Sequence, residues 1–238
     1  MHPYYSKKKD KYFREIAKIL SYGPKETEDL FGEKPGIILK EVQDVFVSEF
    51  LADLPFVGGN NNPNDTSNLV GCCEYAAFFV TGSMHGISND DVGRLLTILE
   101  SRHHKPLPSF LRAFIRKLIK IRLTQSVLKM MADKSRKYSD MYPYAWIYQY
   151  KKPDELYSHR LNCTRCGAYI YLKSKGLADI MPYLCNIDHV VFAAYGLPYY
   201  RTQIIAAGDK CCNNQFKRDS EPLQDHWPPH VLKKDGFK

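Results

Sequence analysis

The sequence predicts an α+β protein, in which a helical N-terminal part packs on a small antiparallel sheet with interspersed short helices. Three observations support this prediction. Apolar residues recur at helical spacing through the first two-thirds of the chain. At about residue 142 the pattern changes to the alternation that is typical of strands. Beyond that point, turn residues separate short segments of strand and helix character.

The N-terminal part is predicted to hold five helices. They span residues 8–20, 35–54, 69–86, 88–101 and 106–138. The last is expected to turn these residues inward: Leu111, Phe114, Ile115, Leu118, Ile121 and Leu128. Residues 56–68, FVGGNNNPNDTSN, are rich in turn formers and predict a loop, either a mobile surface excursion or a lid over a pocket.

The C-terminal part is predicted to contribute about four antiparallel strands and two short helices. The strands span residues 142–150, 156–162, 199–209 and 211–219, and the helices lie near 165–176 and 186–195. The chain is thus expected to divide into a helical part, an α+β part that carries the motifs and forms one compact domain with the helices, and a C-terminal arm. These parts are residues 1–141, 142–218 and 219–238.

Composition excludes several classes of protein. Hydrophobic residues make up 44% of the chain, which is a globular value and not a disordered one. No stretch approaches the roughly 18 apolar residues that span a bilayer. The N-terminus is charged and lacks the apolar region and cleavage site of a secretory signal. We therefore expect a cytoplasmic protein with no membrane partner.

Basic side chains are concentrated between residues 102 and 137, where Asp133 is the one acid. Such a stripe attracts anions, nucleic acid included. No aromatic residues are interleaved in the manner of a single-strand stacking platform. The favoured interpretation is the solvated face of an amphipathic helix, and nucleic acid is not expected as a partner. The sequence predicts no particular oligomeric state.

The seven cysteines are expected to be reduced thiols, because the count is odd and two pairs are adjacent in sequence. Cys163 and Cys166 have the spacing of half a zinc site, but a structural zinc site normally shows two paired halves. With Asn162 or Thr164 as N-cap, Cys166 would lie in the first turn of a helix, where a thiolate is stabilised. The alternative is a packed thiol at a helix start.

The segment LCNIDHV brings Cys185 and Asp188 onto one helix face, because they are three residues apart. A thiol beside a carboxylate can bind a metal, or the carboxylate can act as a base. His189 is expected to be exposed. His159 and Arg160 fall on opposite faces of their strand, and one of them is expected to line the same cavity.

The strand that begins at Tyr199 is predicted to direct Arg201 and Gln203 to one face and Thr202 to the other. An arginine in a central strand needs a partner. A carboxylate, either internal or from a ligand, would satisfy its guanidinium group.

These segments resemble the L-2-amino-thiazoline-4-carboxylic acid hydrolase family over about residues 140–218. The family shows Asn-x-Thr-Arg-Cys, Leu-Cys-x-x-Asp, Arg-Thr and Gly-Asp-x-x-Cys elements in this order. The matching positions are Asn162, Thr164, Arg165, Cys166, Cys185, Asp188, Arg201, Thr202, Gly208, Asp209 and Cys212. Cys163 and Cys211 fall at variable positions. After Cys212 the chain has NNQF where the family commonly has Asp-Phe.

The resemblance implies a hydrolase that opens a small carboxylate-bearing heterocycle, a cyclic isothiourea, to an N-carbamoyl-cysteine product. The implied catalytic residues are Cys166, Cys185, Asp188 and Cys212. The implied substrate-binding residues are Arg165, Arg201, Thr202 and Asn162. Either a cysteine nucleophile or water on a divalent metal would serve the chemistry. A metal, if present, would be held by the four catalytic residues, and no other cofactor is implied.

Two other functions remain open. The segment CCNNQF would be the signature of a non-catalytic small-molecule-binding module that keeps the fold. The thiols or the basic stripe would instead serve a zinc-binding structural protein or a nucleic-acid binder.

Overall fold

The computed structural model describes residues 1–104, 107–119 and 122–218. The chain forms two compact units, residues 1–103 and residues 104–238. The predicted division at residues 141 and 142 stays a prediction, and the predicted C-terminal arm, residues 219–238, lies outside the described residues. The α+β class is confirmed, because helices are combined with a small antiparallel sheet. None of the described helices is long and apolar enough to cross a membrane.

The first unit is helical. Its helices are α1 (Pro3–Ser6), α2 (Lys9–Leu20), α3 (Pro24–Phe31), α4 (Pro35–Val45), α5 (Pro63–Met84) and α6 (Asn89–His103), and a π-helical segment, Phe46–Leu51, continues α4. Proline begins four of them, where its missing N–H costs no hydrogen bond. Before α6, Ser88 Oγ accepts the backbone N–H of Asp91 and so caps the helix.

The prediction of an exposed loop over residues 56–68 is wrong, because the loop is shorter and part of it is buried. Helix α5 already begins at Pro63. Asn62 is buried and donates from Nδ2 to the carbonyl of Val57 and to Asp65. Thr66 Oγ1 donates to the carbonyl of Gly59. These bonds fold the segment on itself, and Val57, Gly59 and Asn62 are buried, so the segment is not a surface excursion.

The second unit begins with two helices, α7 (Ser109–Ile119) and α8 (Arg122–Met141). Whether they form the single predicted helix depends on residues 120–121, which lie outside the described residues, as does the inward position predicted for Ile121. Phe114 is not inward but 56% exposed. The prediction for Phe114 is therefore wrong. Of the basic stripe, these described side chains are exposed: Lys117, Lys129, Lys134, Arg136 and Lys137.

Four antiparallel strands follow, as predicted, in the order β1-β2-β4-β3. They are β1 (Ile147–Lys151), β2 (Tyr157–Arg165), β3 (Tyr199–Tyr200) and β4 (Cys212–Lys217). Helices α9 (Gly167–Ser174) and α10 (Met181–Ala194) lie between β2 and β3 in sequence. The predicted strand 199–209 is much too long, because side chains of Asn213 and Asp209 bind the backbone beyond Tyr200 and turn it out of the sheet.

Register defines which side chains share a face of the sheet. His159 lies opposite Phe216, and Tyr199 also lies opposite Phe216, so these three form one row across β2, β4 and β3. Helix α10 packs on this side, with Phe192 against the rings of Tyr199 and Phe216. We call it the α10 face. Because side chains alternate along a strand, Cys163 and Cys212 lie on it too.

Helix α10 is buried on most of its circumference. Its start at Met181, five residues before the predicted start, brings both Cys185 and Asp188 into the helix. His189 is 3% exposed and its ring packs edge-on against Tyr199, with ring centroids 4.8 Å apart. The predicted exposure of His189 is therefore wrong, because the sheet covers the side of the helix on which it lies.

Candidate active site

Four thiols converge where the ends of β2 and β4 meet the start of α9 and the first half of α10. They are Cys163, Cys166, Cys185 and Cys212, and we call them the thiol cluster. The thiolate charges of Cys166 and Cys212 both raise the pKa of Cys185, which places the three groups within electrostatic range. All seven cysteines of the chain lie in its described part, and none of them forms a disulfide.

Cys166 is itself the N-cap of α9, in place of the predicted Asn162 or Thr164. Strand β2 continues to Arg165, so the helix cannot begin earlier. The sulfur of Cys166 accepts the backbone N–H of Tyr169 at 3.4 Å. A sulfur in this position feels the positive end of the helix, which favours the thiolate. Cys166 therefore lies at a helix start, as predicted, but as the N-cap and not in the first turn, because the helix begins two residues after the predicted residue 165.

The turn into α9 depends on Gly167. A Cβ on this residue would lie 1.8 Å from the carbonyl oxygen of Tyr144. Only glycine allows the backbone of the segment before β1 to approach so closely. The cap geometry of Cys166 is therefore fixed by its neighbour.

Arg165 holds the segment between α8 and β1. Its guanidinium group donates to the carbonyl oxygens of Ala145, Ser139 and Tyr142 at 2.9–3.1 Å. These carbonyls lie at and beyond the C-terminal end of α8, where helices leave acceptors without intrahelical partners. The side chain expected to bind substrate is thus engaged with backbone.

Cys163 and Cys212 are directly opposite each other on β2 and β4. Both are buried. The S–H of Cys163 is directed at two acceptors, the sulfur of Cys212 and the carbonyl oxygen of Arg165, the latter at 3.2 Å. The sulfur of Cys212 also accepts the backbone N–H of Ile205 at 3.4 Å.

These hydrogen bonds shift the pKa values of the two thiols in opposite directions. Donation from Cys163 lowers the pKa of Cys212 to about 7, helped by the N–H of Ile205 and the charge of Arg201 and opposed by burial. The same bond, with burial, raises the pKa of Cys163. Cys212 is therefore the thiol that ionises near neutral pH, while Cys163 keeps its proton.

Arg201 is the buried cation of the site. It is 2% exposed, and it donates to Asp188 Oδ2 at 2.8 Å and to the carbonyl oxygen of Cys185. The expected carboxylate partner is thus internal. Gln203 does not share the face of Arg201, since it is exposed while Arg201 is buried. That prediction fails because the backbone leaves the sheet after Tyr200.

Cys185 and Asp188 are neighbours on α10, as their spacing predicts. Burial raises the pKa of Cys185 well above its ordinary value, although the charge of Arg201 acts in the opposite direction. Cys185 is therefore a protonated thiol at neutral pH. Arg201 holds the carboxylate of Asp188 by this ion pair. The Asp188 side chain is nevertheless 52% exposed, so it also faces solvent.

Asn213 holds the backbone that follows β3. Its Oδ1 accepts the N–H groups of Thr202 and Gln203 at 2.9 and 2.8 Å, and its Nδ2 donates to Thr202 Oγ1. Asn213 is adjacent to Cys212 in β4, so it points to the opposite face of the sheet. Asn162, opposite Asn213 in register, also lies on that face. Thr202 and Asn162 are thus not on the same face as the thiol cluster.

Two buried polar side chains lie on the inner side of this unit: Asn186, which sequence reasoning missed, and His159, one of the pair expected to line the cavity. Asn186 and His159 are each 1% exposed, and none of their side-chain nitrogen or oxygen atoms bonds to a described residue. Burial, with the charge of Arg218, lowers the pKa of His159 to about 4. Of the pair expected to line the cavity, His159 lies on the α10 face, whereas Arg160 binds the carbonyl of Lys152.

The four residues expected to hold a metal do not form a ligand set. Among Cys166, Cys185, Asp188 and Cys212, all described, no three have ligand atoms within 4.8 Å of one another. A tetrahedral or octahedral site needs its donors around one point. The arrangement therefore does not fit a divalent cation, and the proposed reaction uses none.

The fold and the cluster of thiols, carboxylate and guanidinium group define a small α+β protein with a cysteine-rich candidate active site. A family model, L-2-amino-thiazoline-4-carboxylic acid hydrolase, matches residues 97–216, half of the chain. The chain belongs to this family, as its motifs predict. The name of the family is that of a hydrolase. No curated protein and no solved structure matches the chain.

Proposed function

We propose that the protein is a hydrolase that opens a cyclic isothiourea of the 2-amino-thiazoline-4-carboxylate class, with Cys212 as its nucleophile. The observation that carries the proposal is the lowered pKa of Cys212, at about 7. A thiolate is the reactive form of cysteine, and the pKa of this thiol is lowered toward the working pH. The family match supports the substrate class.

The first half of the reaction uses two thiols in different protonation states. The Cys212 thiolate adds to the ring carbon between sulfur and nitrogen. The bond from that carbon to the ring sulfur then breaks, and the S–H of Cys185 gives its proton to the departing sulfur. Cys185 suits this role because its raised pKa keeps it protonated. The substrate is left as an isothiourea on the sulfur of Cys212, with a free thiol at its other end.

The second half consumes one water. Water adds to the same carbon, and the bond to the sulfur of Cys212 breaks. The carbon becomes the urea carbonyl of an N-carbamoyl-cysteine, and Cys212 leaves as a thiolate. One proton of the water passes to the imino nitrogen of the isothiourea, and the other returns to Cys185. The sum is one substrate plus one water to one product, with both thiols regenerated.

Asp188 supplies the charge that recognises the ring. A 2-amino-thiazoline is a cyclic amidine, which becomes cationic on protonation and then offers two N–H donors on either side of its reacting carbon. A half-exposed carboxylate beside the thiolate pairs with such a group and makes that carbon more electrophilic. Arg201 holds the Asp188 carboxylate in position and lowers the pKa of Cys212.

The other motif residues position this machinery. Cys166 caps α9 next to the cluster, and Arg165 fixes the end of β2 by three carbonyl bonds. Thr202 and Asn162 lie on the face of the sheet opposite the thiol cluster, where Thr202 Oγ1 accepts a hydrogen bond from Asn213 Nδ2. Because the guanidinium groups of Arg165 and Arg201 are already engaged, neither is assigned to the substrate carboxylate.

The test is turnover of L-2-amino-thiazoline-4-carboxylate by the full chain. New low-molecular-mass thiol is counted, and the product is identified by mass. We expect release of N-carbamoyl-cysteine by the wild type and by Cys211→Ser, and loss of at least 100-fold with Cys212→Ser. Cys211 is the matched control because it is the adjacent residue on the same strand end.

Absence of thiol release with this substrate and its ring analogues would contradict the hydrolase and favour the non-catalytic binding module. The segment that suggested such a module does not by itself favour it. Asn213 accepts two backbone N–H groups in this chain, and the aspartate that is common in the family has oxygen acceptors for the same task.

A further inference from the structure

We propose that Cys163 and Cys212 form an oxidative modification site, in which a hydroperoxide converts the two thiols to a reversible disulfide. The site is formed by one cysteine from β2 and its direct opposite on β4. The bond formation itself does not depend on the proposed function. The consequence for turnover rests on it, because the disulfide removes the nucleophile.

The two residues have the geometry that a disulfide needs. They are directly opposite on antiparallel strands, where Cα atoms are about 4.5 or 5.5 Å apart. Disulfides span Cα separations of about 4.4–6.8 Å. The two side chains also lie on the same face of the sheet, so their sulfur atoms are directed to the same side of the strand pair.

The cluster gives a small oxidant a way to the pair. Cys212 and Cys163 are buried, but Cys166 and Cys185 beside them are only partly buried, and the Asp188 side chain is half exposed. A neutral hydroperoxide is smaller than the proposed substrate and is not repelled by Asp188. Any path that admits the substrate therefore admits the oxidant.

The chemistry balances with one hydroperoxide. The Cys212 thiolate attacks the peroxide oxygen, the O–O bond breaks, and Cys212 becomes a sulfenic acid while hydroxide, or alkoxide, leaves and takes a proton. The sulfur of Cys163 then attacks the sulfenic sulfur, the S–O bond breaks, and water leaves. Two thiols lose two hydrogens, and the peroxide is reduced to water, or to water and an alcohol. A dithiol reductant reverses the step by exchange.

Cys163 thus has a protective role as well. A sulfenic acid without a neighbouring thiol is open to further oxidation to the sulfinic acid, which reductants do not reverse. With Cys163 opposite, the sulfenic acid is consumed before a second peroxide arrives. Cys211, the neighbour in sequence, does not substitute, because it lies in the bend before β4 and directs its S–H at Gln203 Oε1.

The experiment exposes the reduced full chain to one equivalent of hydrogen peroxide and maps the peptides without reductant. Trypsin separates the cysteines: Cys163 falls in residues 161–165, Cys166 in 166–173, Cys185 in 176–201, and the adjacent pair in 211–217. We expect the intact mass to fall by two hydrogens and peptide 161–165 to be joined to 211–217. The link should persist in Cys211→Ser, vanish in Cys212→Ser, and be cleaved by dithiothreitol.

The variant Cys163→Ser tests whether Cys163 protects Cys212 from oxidation beyond the sulfenic acid. With an excess of hydrogen peroxide over two equivalents, we expect its peptide 211–217 to gain two oxygens and to keep them after dithiothreitol, whereas the wild type returns to its starting mass. A disulfide that joins peptide 211–217 to 166–173 or 176–201, or no loss of hydrogen in the wild type, would overturn the proposal. Because every readout is a mass, it stands or falls separately from turnover.

Discussion

The S–H of Cys163 on β2 points at the sulfur of Cys212, its direct opposite on β4, and thereby lowers the pKa of Cys212. This relationship joins the two central strands of the sheet. It means that the acidity of the proposed nucleophile is set by a hydrogen bond within the sheet as well as by Arg201. Our predictions concern this hydrogen bond, the charged and polar groups around it, and the stability of the first unit, residues 1–103.

Replacing Cys163 by alanine is expected to raise the pKa of Cys212, because the thiolate loses its principal hydrogen-bond donor. The measurement is the pH dependence of Cys212 alkylation by iodoacetamide, read by peptide mass. The wild-type midpoint should lie near 7, and that of the variant should be higher. Cys211→Ala serves as control and should leave the midpoint in place; an equal shift in both variants would contradict the role of Cys163.

Replacing Asp188 by asparagine removes the charge that pairs with buried Arg201 and, in the proposal, with the substrate cation. A hydrogen bond to a charged group is worth about 1.5–3 kcal/mol, so kcat/KM should fall on the order of 10- to 100-fold. The free energy of unfolding should fall by about 1–3 kcal/mol. Asp140→Asn, at an exposed site on α8, should change neither quantity. Unchanged kcat/KM would remove Asp188 from the site.

Asn213 allows a test by two substitutions at one position. Alanine removes the acceptor of two backbone N–H groups and the donor to Thr202, which should cost about 1–3 kcal/mol of stability and disturb the segment that carries Arg201. Aspartate keeps the acceptors and should behave nearly as the wild type. Denaturant unfolding and turnover are the measurements. Equal losses in the two variants would contradict the bonding assigned to Asn213.

In the first unit, Glu74 is buried against Glu15, and burial and that neighbouring carboxylate raise the pKa of Glu74 to about 8 against the opposing charge of Lys11. Between its ordinary value of about 4.3 and this pKa, the folded state holds more protons than the unfolded state. Stability should therefore fall as pH rises from 5 to 8, by up to about 1.4 kcal/mol per pH unit.

Glu74→Gln cannot ionise, so its stability should lack this slope and exceed that of the wild type at pH 9. The free energy of unfolding in urea, measured from pH 5 to 9, decides the matter. Glu28→Gln, at an exposed position of α3, should keep the wild-type slope. A slope that survives in Glu74→Gln would locate the titrating group elsewhere.

Local pattern was enough to predict much of the site. The spacing of Cys185 and Asp188 fixes them on one helix face whatever the rest of the fold does, and the need of Arg201 for a carboxylate follows from the cost of burying a charge. The helix start that favours a thiolate at Cys166 is also local. Its boundary was missed by two positions, because β2 runs on to Arg165 and the helix begins at Gly167.

What the sequence could not predict depends on pairing between distant segments. The position of Cys163 opposite Cys212 is a matter of register between β2 and β4, which are nearly fifty residues apart in sequence. The burial of His189 depends on the sheet that covers α10. The short β3 depends on the side chain of Asn213, since alternation alone would have continued the strand to residue 209.

The most direct test of Cys212 as nucleophile is the mass of the enzyme during turnover. The full chain is mixed with L-2-amino-thiazoline-4-carboxylate, quenched with acid after a few milliseconds to seconds, digested and mapped. We expect peptide 211–217 to carry the added mass of one whole substrate molecule, in the wild type and in Cys211→Ser but not in Cys212→Ser. Turnover with no adduct at any time, or with the adduct on peptide 166–173 or 176–201, would contradict the central claim.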